Sequence, residues 1–207
     1  MKLTLTTFIT VDGVVQAPGG RDEDREEGFE HGGWVAPHWD DELGETMNRW
    51  FARVDAFLLG RRTYEIFAAY WPKVTDPDDP IAGPLNKLPK YVASRTLTEV
   101  LWENSRLLEG DVAAEVARLK EQEGGELQVH GSGNLAQTLF QHGLVDELML
   151  ITFPVVLGTG KRLFGEGAKP TAFELVDSRT TGKGVSIDVF RAAGEPTYGS
   201  VGSEYEA

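Results

Sequence analysis

Three short stretches combine small residues with hydroxyl or guanidinium groups in a way that suits phosphate. They are Leu59-Gly60-Arg61-Arg62-Thr63, Ala93-Ser94-Arg95-Thr96 and His130-Gly131-Ser132-Gly133-Asn134. Glycine lets a backbone turn sharply and approach a ligand closely. The unpaired amides at the start of a following helix seat an anion, and guanidinium and hydroxyl groups add forked, charge-assisted hydrogen bonds. Each stretch alone has a plainer explanation: glycine turns reverse a chain, and arginines solvate the first turn of a helix. Three in one chain point to a nucleotide cleft.

Such stretches need strands before them and helices or turns behind them, and the patterning supplies both. Residues 2–11 alternate and are rich in threonine and β-branched types, predicting a strand that stops at Asp12-Gly13. Asp40 or Asp41 caps a predicted helix with Leu43, Met47, Trp50, Phe51 and Val54 on one face. Residues 56–59 and 90–94 are short apolar runs suited to buried strands, with a further short strand expected around Trp102. Arg61 opens a helix, and Asp111 caps another that carries Val112, Val116 and Leu119 and ends at Gly124-Gly125. A strand at 126–129 leads into the last glycine loop and its helix. Residues 146–156 form a strongly apolar strand, and 172–176 and 185–190 flank Thr181-Gly182-Lys183-Gly184 as a hairpin.

This alternation predicts one α/β domain over residues 1–193: a mostly parallel mixed sheet flanked by helices, closed by a C-terminal antiparallel hairpin. A polar acidic tail follows over 194–207. In a parallel sheet all three junctions lie at carboxyl ends of strands, where open α/β folds bind ligands.

Taken in order, Leu59 to Glu65, the strand end at 91–96 and Gly131-Ser132-Gly133 before a helix resemble the dihydrofolate reductases. The chain is more similar to the reductase domain of the bifunctional riboflavin-biosynthesis deaminase-reductase and to stand-alone bacterial members of that superfamily. Thr10-Val11-Asp12-Gly13, Gly143-Leu144-Val145-Asp146-Glu147-Leu148 and residues 154–164 support this, so the resemblance spans roughly residues 2–191. It implies a dihydrofolate reductase-like fold, NADPH as hydride donor and a small heterocyclic substrate, most like 5-amino-6-(5-phosphoribosylamino)uracil. Folate or pterin reduction, or nucleotide binding without turnover on the same fold, are the alternatives.

Carried over by position, the resemblance puts Gly60, Arg61, Arg62 and Thr63 at the pyrophosphate and 2′-phosphate side of the cofactor. Ser94, Arg95 and Thr96 fall at the adenosine ribose phosphate. Gly131, Ser132, Gly133, Asn134 and Leu135 pass beneath the pyrophosphate and nicotinamide ribose, and Val11, Asp12, Gly13 and Val14 border the nicotinamide. Relatives of this type are usually dimers, so a homodimer is expected, with the 146–156 strand and the hairpin as its interface.

The sequence departs from the folate enzymes where they carry a substrate-binding carboxylate, a position that falls here at about Gly44. Asp12, Asp41 and Glu45 remain as catalytic candidates, although Asp41 is equally explained by the helix dipole. Lys161 and Arg162 are candidates for a substrate phosphate, with solvated loop charges as the other reading. Residues 16–38 form a long charged segment with Pro18-Gly19-Gly20 and Gly32-Gly33, read either as a lid or as a mobile surface insertion. His130 is expected to pack in its strand, and no metal site is expected from His31 and His38.

Composition narrows the classes. Thirty-three acidic against 20 basic residues give a net charge of −13, which argues against sequence-independent affinity for nucleic acid or anionic membrane and leaves room for a local basic site that takes a phosphorylated small molecule. With no cysteine there is no disulfide; set against the bifunctional enzymes that the chain resembles, whose zinc deaminase domain needs a Cys-x-x-Cys set, the resemblance implies a reductase half alone. The amino terminus lacks the apolar core of a signal peptide and no run approaches a membrane span, so a cytoplasmic protein is expected.

Overall fold

The computed structural model describes residues 1–165 and 168–201, so residues 202–207 of the expected tail lie outside the described residues. Eight strands form one sheet: β1 (Lys2–Thr10), β2 (Val54–Gly60), β3 (Lys90–Ala93), β4 (Ser105–Leu107), β5 (Glu126–His130), β6 (Glu147–Phe153), β7 (Phe173–Thr180) and β8 (Ser186–Ala192). Their order across the sheet is β4-β3-β2-β5-β1-β6-β8-β7. Every pairing from β4 to β6 is parallel, and β8 then runs antiparallel between β6 and β7. The helices are α1 (Asp41–Phe51), α2 (Arg61–Tyr70), α3 (Ala82–Lys87), α4 (Val112–Lys120) and α5 (Gly133–Gln141).

Strand alternation assigns the two faces, since successive side chains point to opposite sides. In β2, Phe57 and Leu59 join α1, α2 and α3 on one face, while Ala56 and Leu58 join α4 and α5 on the other. β5 does the same with a polar row. Leu127 and Val129 meet α5, whereas Glu126, Gln128 and His130 are buried beneath α1. Those buried polar groups satisfy one another, as they must away from water. The Gln128 amide donates to the Trp50 carbonyl at 2.7 Å and to Glu126 at 2.9 Å, and its carbonyl meets His130 Nε2 at 3.1 Å.

The expected caps form. Asp40 accepts the Leu43 amide at 2.9 Å, and Asp111 accepts the Ala114 amide at 2.8 Å. Boundaries differ where tertiary partners override local pattern. Val54 opens β2 instead of ending α1, because it pairs with Glu126. Trp102 lies ahead of β4: its amide donates to the Tyr64 hydroxyl and its indole N–H to Asn86, both at 3.0 Å, so its bonds are not those of a ladder. β6 stops at Phe153, before Pro154, which has no amide to donate.

Segment 16–38 is docked on the body. The Trp34 indole donates to the Gln16 carbonyl at 2.9 Å, and the Gly33 amide to the Ala17 carbonyl at 2.8 Å. Phe29 buries against Val14 and Ala17, while Trp34 meets Phe153 edge to face at 5.4 Å. Among the described residues no helix is long and apolar enough to cross a membrane.

Candidate functional site

Because β3, β2, β5 and β1 are parallel neighbours, their carboxyl ends lie side by side. The three phosphate-suited junctions and the Thr10–Val14 turn therefore meet along one edge. Hydrogen bonds join the three junctions. The Gly60 amide donates to Ser132 Oγ at 3.0 Å, and the Ser132 amide donates to Thr63 Oγ1 at 3.2 Å. Arg61 Nη1 donates to Thr96 Oγ1 at 2.5 Å, while Ser94 Oγ accepts the Thr96 and Leu97 amides at 3.1 and 2.9 Å.

The turn into α5 needs left-handed backbone at two residues, Gly131 with φ 54° and Ser132 with φ 55°. A Cβ on Gly133 would stand 3.4 Å from the Val15 side chain, in contact with it, so α5 begins close against the residue that follows the Thr10–Val14 turn. The amides of Gly133, Asn134 and Leu135 precede the first intrahelical bond, which runs from Ala136 to Ser132, and remain available to an anion. The Leu135 side chain is in the core. Its part at this edge is its amide alone.

At the end of β1, Val11 is exposed and its amide donates to the Val155 carbonyl. Asp12 accepts the Thr10 hydroxyl at 2.6 Å and the Leu157 and Gly158 amides at 3.2 and 2.8 Å. Led by the Thr10 hydroxyl, these donors hold its carboxyl down at about 2. Asp12 is thus an ionised tie between two loops, and a proton-donor role does not suit it. Asp41 lies exposed in the first turn of α1, and Glu45 is 72% exposed beside Arg49. Neither is gathered with the junctions.

Lys161 and Arg162, expected to face a substrate phosphate, are engaged within the chain. Lys161 Nζ lies 2.8 Å from Asp24 and 2.5 Å from Glu26. Arg162 donates to the Asp12 carbonyl and stands 3.7 Å from its carboxylate. Arg62 also reaches Asp24 and Glu26, at 3.1 and 3.2 Å. Burial would raise the Asp24 carboxyl, yet Lys161, the Glu26 amide and Arg62 together bring it down to about 2. Sequence reasoning missed Asp24 and Glu26, because nothing in a charged, glycine-bearing segment says which acid will fold back onto which cation.

His130 is buried, stacked on Phe51 at 4.6 Å, and burial lowers its pKa to about 4. It is a neutral packing residue at pH 7. A cavity of about 740 Å³ opens beside α2 against Tyr64, Ala68 and Trp102, and another of about 380 Å³ beside Phe140 and Phe164. Neither is lined by the junction residues. Among the described residues no acid and histidine cluster could hold a metal ion.

A mostly parallel sheet in this order, with an antiparallel C-terminal pair and glycine junctions at the carboxyl ends of its strands, defines a dihydrofolate reductase-like α/β fold. The chain belongs to the RibD C-terminal domain family, which matches residues 1–187. It is 30% identical over 187 residues to the uncharacterized protein YyaP of Bacillus subtilis, covering 89% of this chain and 91% of that protein. The fold is shared with dihydrofolate reductase from Enterococcus faecalis complexed with NADP(H), at a TM-score of 0.59 and 14% identity over 92% of this chain and 96% of that one. It is shared too with a diaminohydroxyphosphoribosylaminopyrimidine deaminase/5-amino-6-(5-phosphoribosylamino)uracil reductase from Thermotoga maritima. There the TM-score is 0.60 and the identity 14%, over 93% of this chain and 56% of that one.

Proposed function

We propose that the protein is an NADPH-dependent reductase of a small heterocyclic substrate, most like the 5-amino-6-(5-phosphoribosylamino)uracil reductases. The observation that carries the reading is the joining of Gly60–Thr63, Ser94–Thr96 and Gly131–Leu135 along one sheet edge. Its support is membership of a riboflavin-enzyme domain family and a fold shared with an NADP(H)-bound reductase. The first-turn amides of α5 and the side-chain-free Gly131 and Gly133 suit a pyrophosphate. Arg61, held toward Thr96, and Arg95 suit the 2′-phosphate end. Val11, Gly13 and Val14 would border the nicotinamide. NADPH would supply the hydride, while the chain's own residues bind and orient it.

Folate or pterin reduction is disfavoured by polarity. At Gly44 there is no carboxylate to accept hydrogen bonds from an amino-bearing ring edge, and a Cβ built there would lie 3.6 Å from the Trp39 indole nitrogen. We place the homodimer in the same proposal, supported by exposed Leu175 and Val176 on the edge strand β7; β6, the other element expected at the interface, is instead an interior strand packed on both faces. Sedimentation at micromolar protein checks it.

Stoichiometric NADPH oxidation with a ribosylaminopyrimidine phosphate is the expected result. Failure to bind NADPH in calorimetry at millimolar cofactor would sink the reading. Binding without hydride transfer to any ribosylaminopyrimidine or pterin would mean a nucleotide-binding protein that does not turn over.

A further inference from the structure

Four cations at the phosphate-suited edge are already paired from within. Arg61 pairs with Glu65 at 2.9 Å, Arg162 with Asp12, and Arg62 and Lys161 share Asp24 and Glu26 through four contacts of 2.5 to 3.2 Å. Two carboxylates bridging two cations at the first turn of α2 present the oxygens and charge that a bridging phosphate would present there. An incoming phosphate would meet the carboxylates as like charges and the cations as already matched, which weakens its attraction.

These carboxylates are not equally held. Asp12 has three further donors. Asp24 is 9% exposed at its side chain and also accepts the Glu26 amide at 3.0 Å. The Glu26 side chain is 54% exposed, and its carboxylate is held by Lys161 and Arg62. Next to it, Glu27 has φ 58° and ψ 22°, a left-handed conformation that a non-glycine residue adopts at a cost, and Gly28 follows at φ 75°. The exposed carboxylate thus sits on a short left-handed turn whose backbone is held separately, by the Gln16 amide on the Glu26 carbonyl at 3.2 Å and by the Glu26 amide on Asp24 at 3.0 Å.

We propose that Glu26, with Asp24 as its fixed partner, is an internal anion that occupies the phosphate-binding cations Arg62 and Lys161 and is displaced when a phosphate-bearing ligand enters. The inference rests on reading this edge as a nucleotide site. It adds that ligand affinity is held down by the chain itself, and that phosphate binding is coupled to release of the Glu26 side chain from Arg62 and Lys161. Segment 16–38 then reports on the cleft because its own acid closes it.

The test is calorimetry on the full chain with NADPH, NADP⁺ and inorganic pyrophosphate, comparing wild type with Glu26→Gln. Removing the charge is expected to tighten nucleotide and pyrophosphate about tenfold, and adding Arg62→Met is expected to abolish the gain. Glu26→Gln carries the test because its side chain is half exposed, whereas Asp24 is nine-tenths buried and its replacement strains the fold. Unchanged or weaker binding by Glu26→Gln would overturn the proposal, since Glu26 would then be a strut and not a competitor. If neither protein binds a pyridine nucleotide while Glu26→Gln still binds pyrophosphate more tightly, the cofactor reading fails and the internal anion stands. If none of the three ligands binds either protein, both fall.

Discussion

Ser132 Oγ accepts the Gly60 amide and donates to the His130 carbonyl, both at 3.0 Å. One hydroxyl therefore locks the junction after β2 to the junction after β5, two places separated by 72 positions in the chain. Ser132 reaches this point only because its own backbone is left-handed, at φ 55° and ψ 47°.

Replacing Ser132 with alanine leaves the part-buried Gly60 amide without its acceptor. The expected cost is about 1–2 kcal/mol of stability, the usual penalty for orphaning such a group, together with weaker binding of NADPH. Urea denaturation reads the first and calorimetry the second. A stability unchanged from wild type would show that water or a shifted neighbour replaces the hydroxyl.

Gly160 is the strictest glycine near the edge. Its φ is 110°, and an added Cβ would lie 2.7 Å from the Phe29 ring and 2.8 Å from Val14. Gly160→Ala combines backbone strain with overpacking, so a loss of roughly 2–5 kcal/mol is expected. Thermal unfolding would show it, along with exposure of Trp34 in the same segment by fluorescence.

Arg61→Met removes the guanidinium that is held between Glu65 and Thr96. NADPH affinity is expected to fall about tenfold or more while NADH affinity stays nearly constant, because only the former carries the 2′-phosphate. Equal losses for the two cofactors would place Arg61 at the shared pyrophosphate.

Asp24 gives the pH dependence its sign. Its folded pKa is about 2, against 3.8 for the ordinary carboxyl. The stabilisation is thus present above about 4 and is lost as the pH falls toward 2. Acid unfolding of Asp24→Asn should begin from a lower stability and fall less steeply through that window. A wild-type slope in the variant would assign the acid sensitivity elsewhere, for instance to Asp12, which is lowered to about 2 as well.

Much of the fold is legible in local pattern. The alternation of residues 2–11, the apolar run before Gly60 and the Asp40 and Asp111 caps depend on neighbours two to four positions away, and the structure shows β1, β2, α1 and α4 at those places. The glycine junctions were legible as turns for the same reason. Trp102 and Val54 fall outside the elements that local pattern suggests because their partners, Tyr64 and Asn86 for the one and Glu126 for the other, are distant in sequence.

The sequence by itself determined the α/β class, the starts of α1, α2, α4 and α5 and the glycine-bearing turns, since each follows from short-range backbone and side-chain chemistry; α3 was not legible, because it begins at Ala82 inside a proline-bearing stretch that reads as irregular. Tertiary structure alone decided which charges meet. Arg62 and Lys161 read as free cations in the sequence, and only the docking of segment 16–38 brings Asp24 and Glu26 to both of them. Coulomb attraction acts on distance in space, and no spacing along the chain encodes a contact between residues 24 and 161.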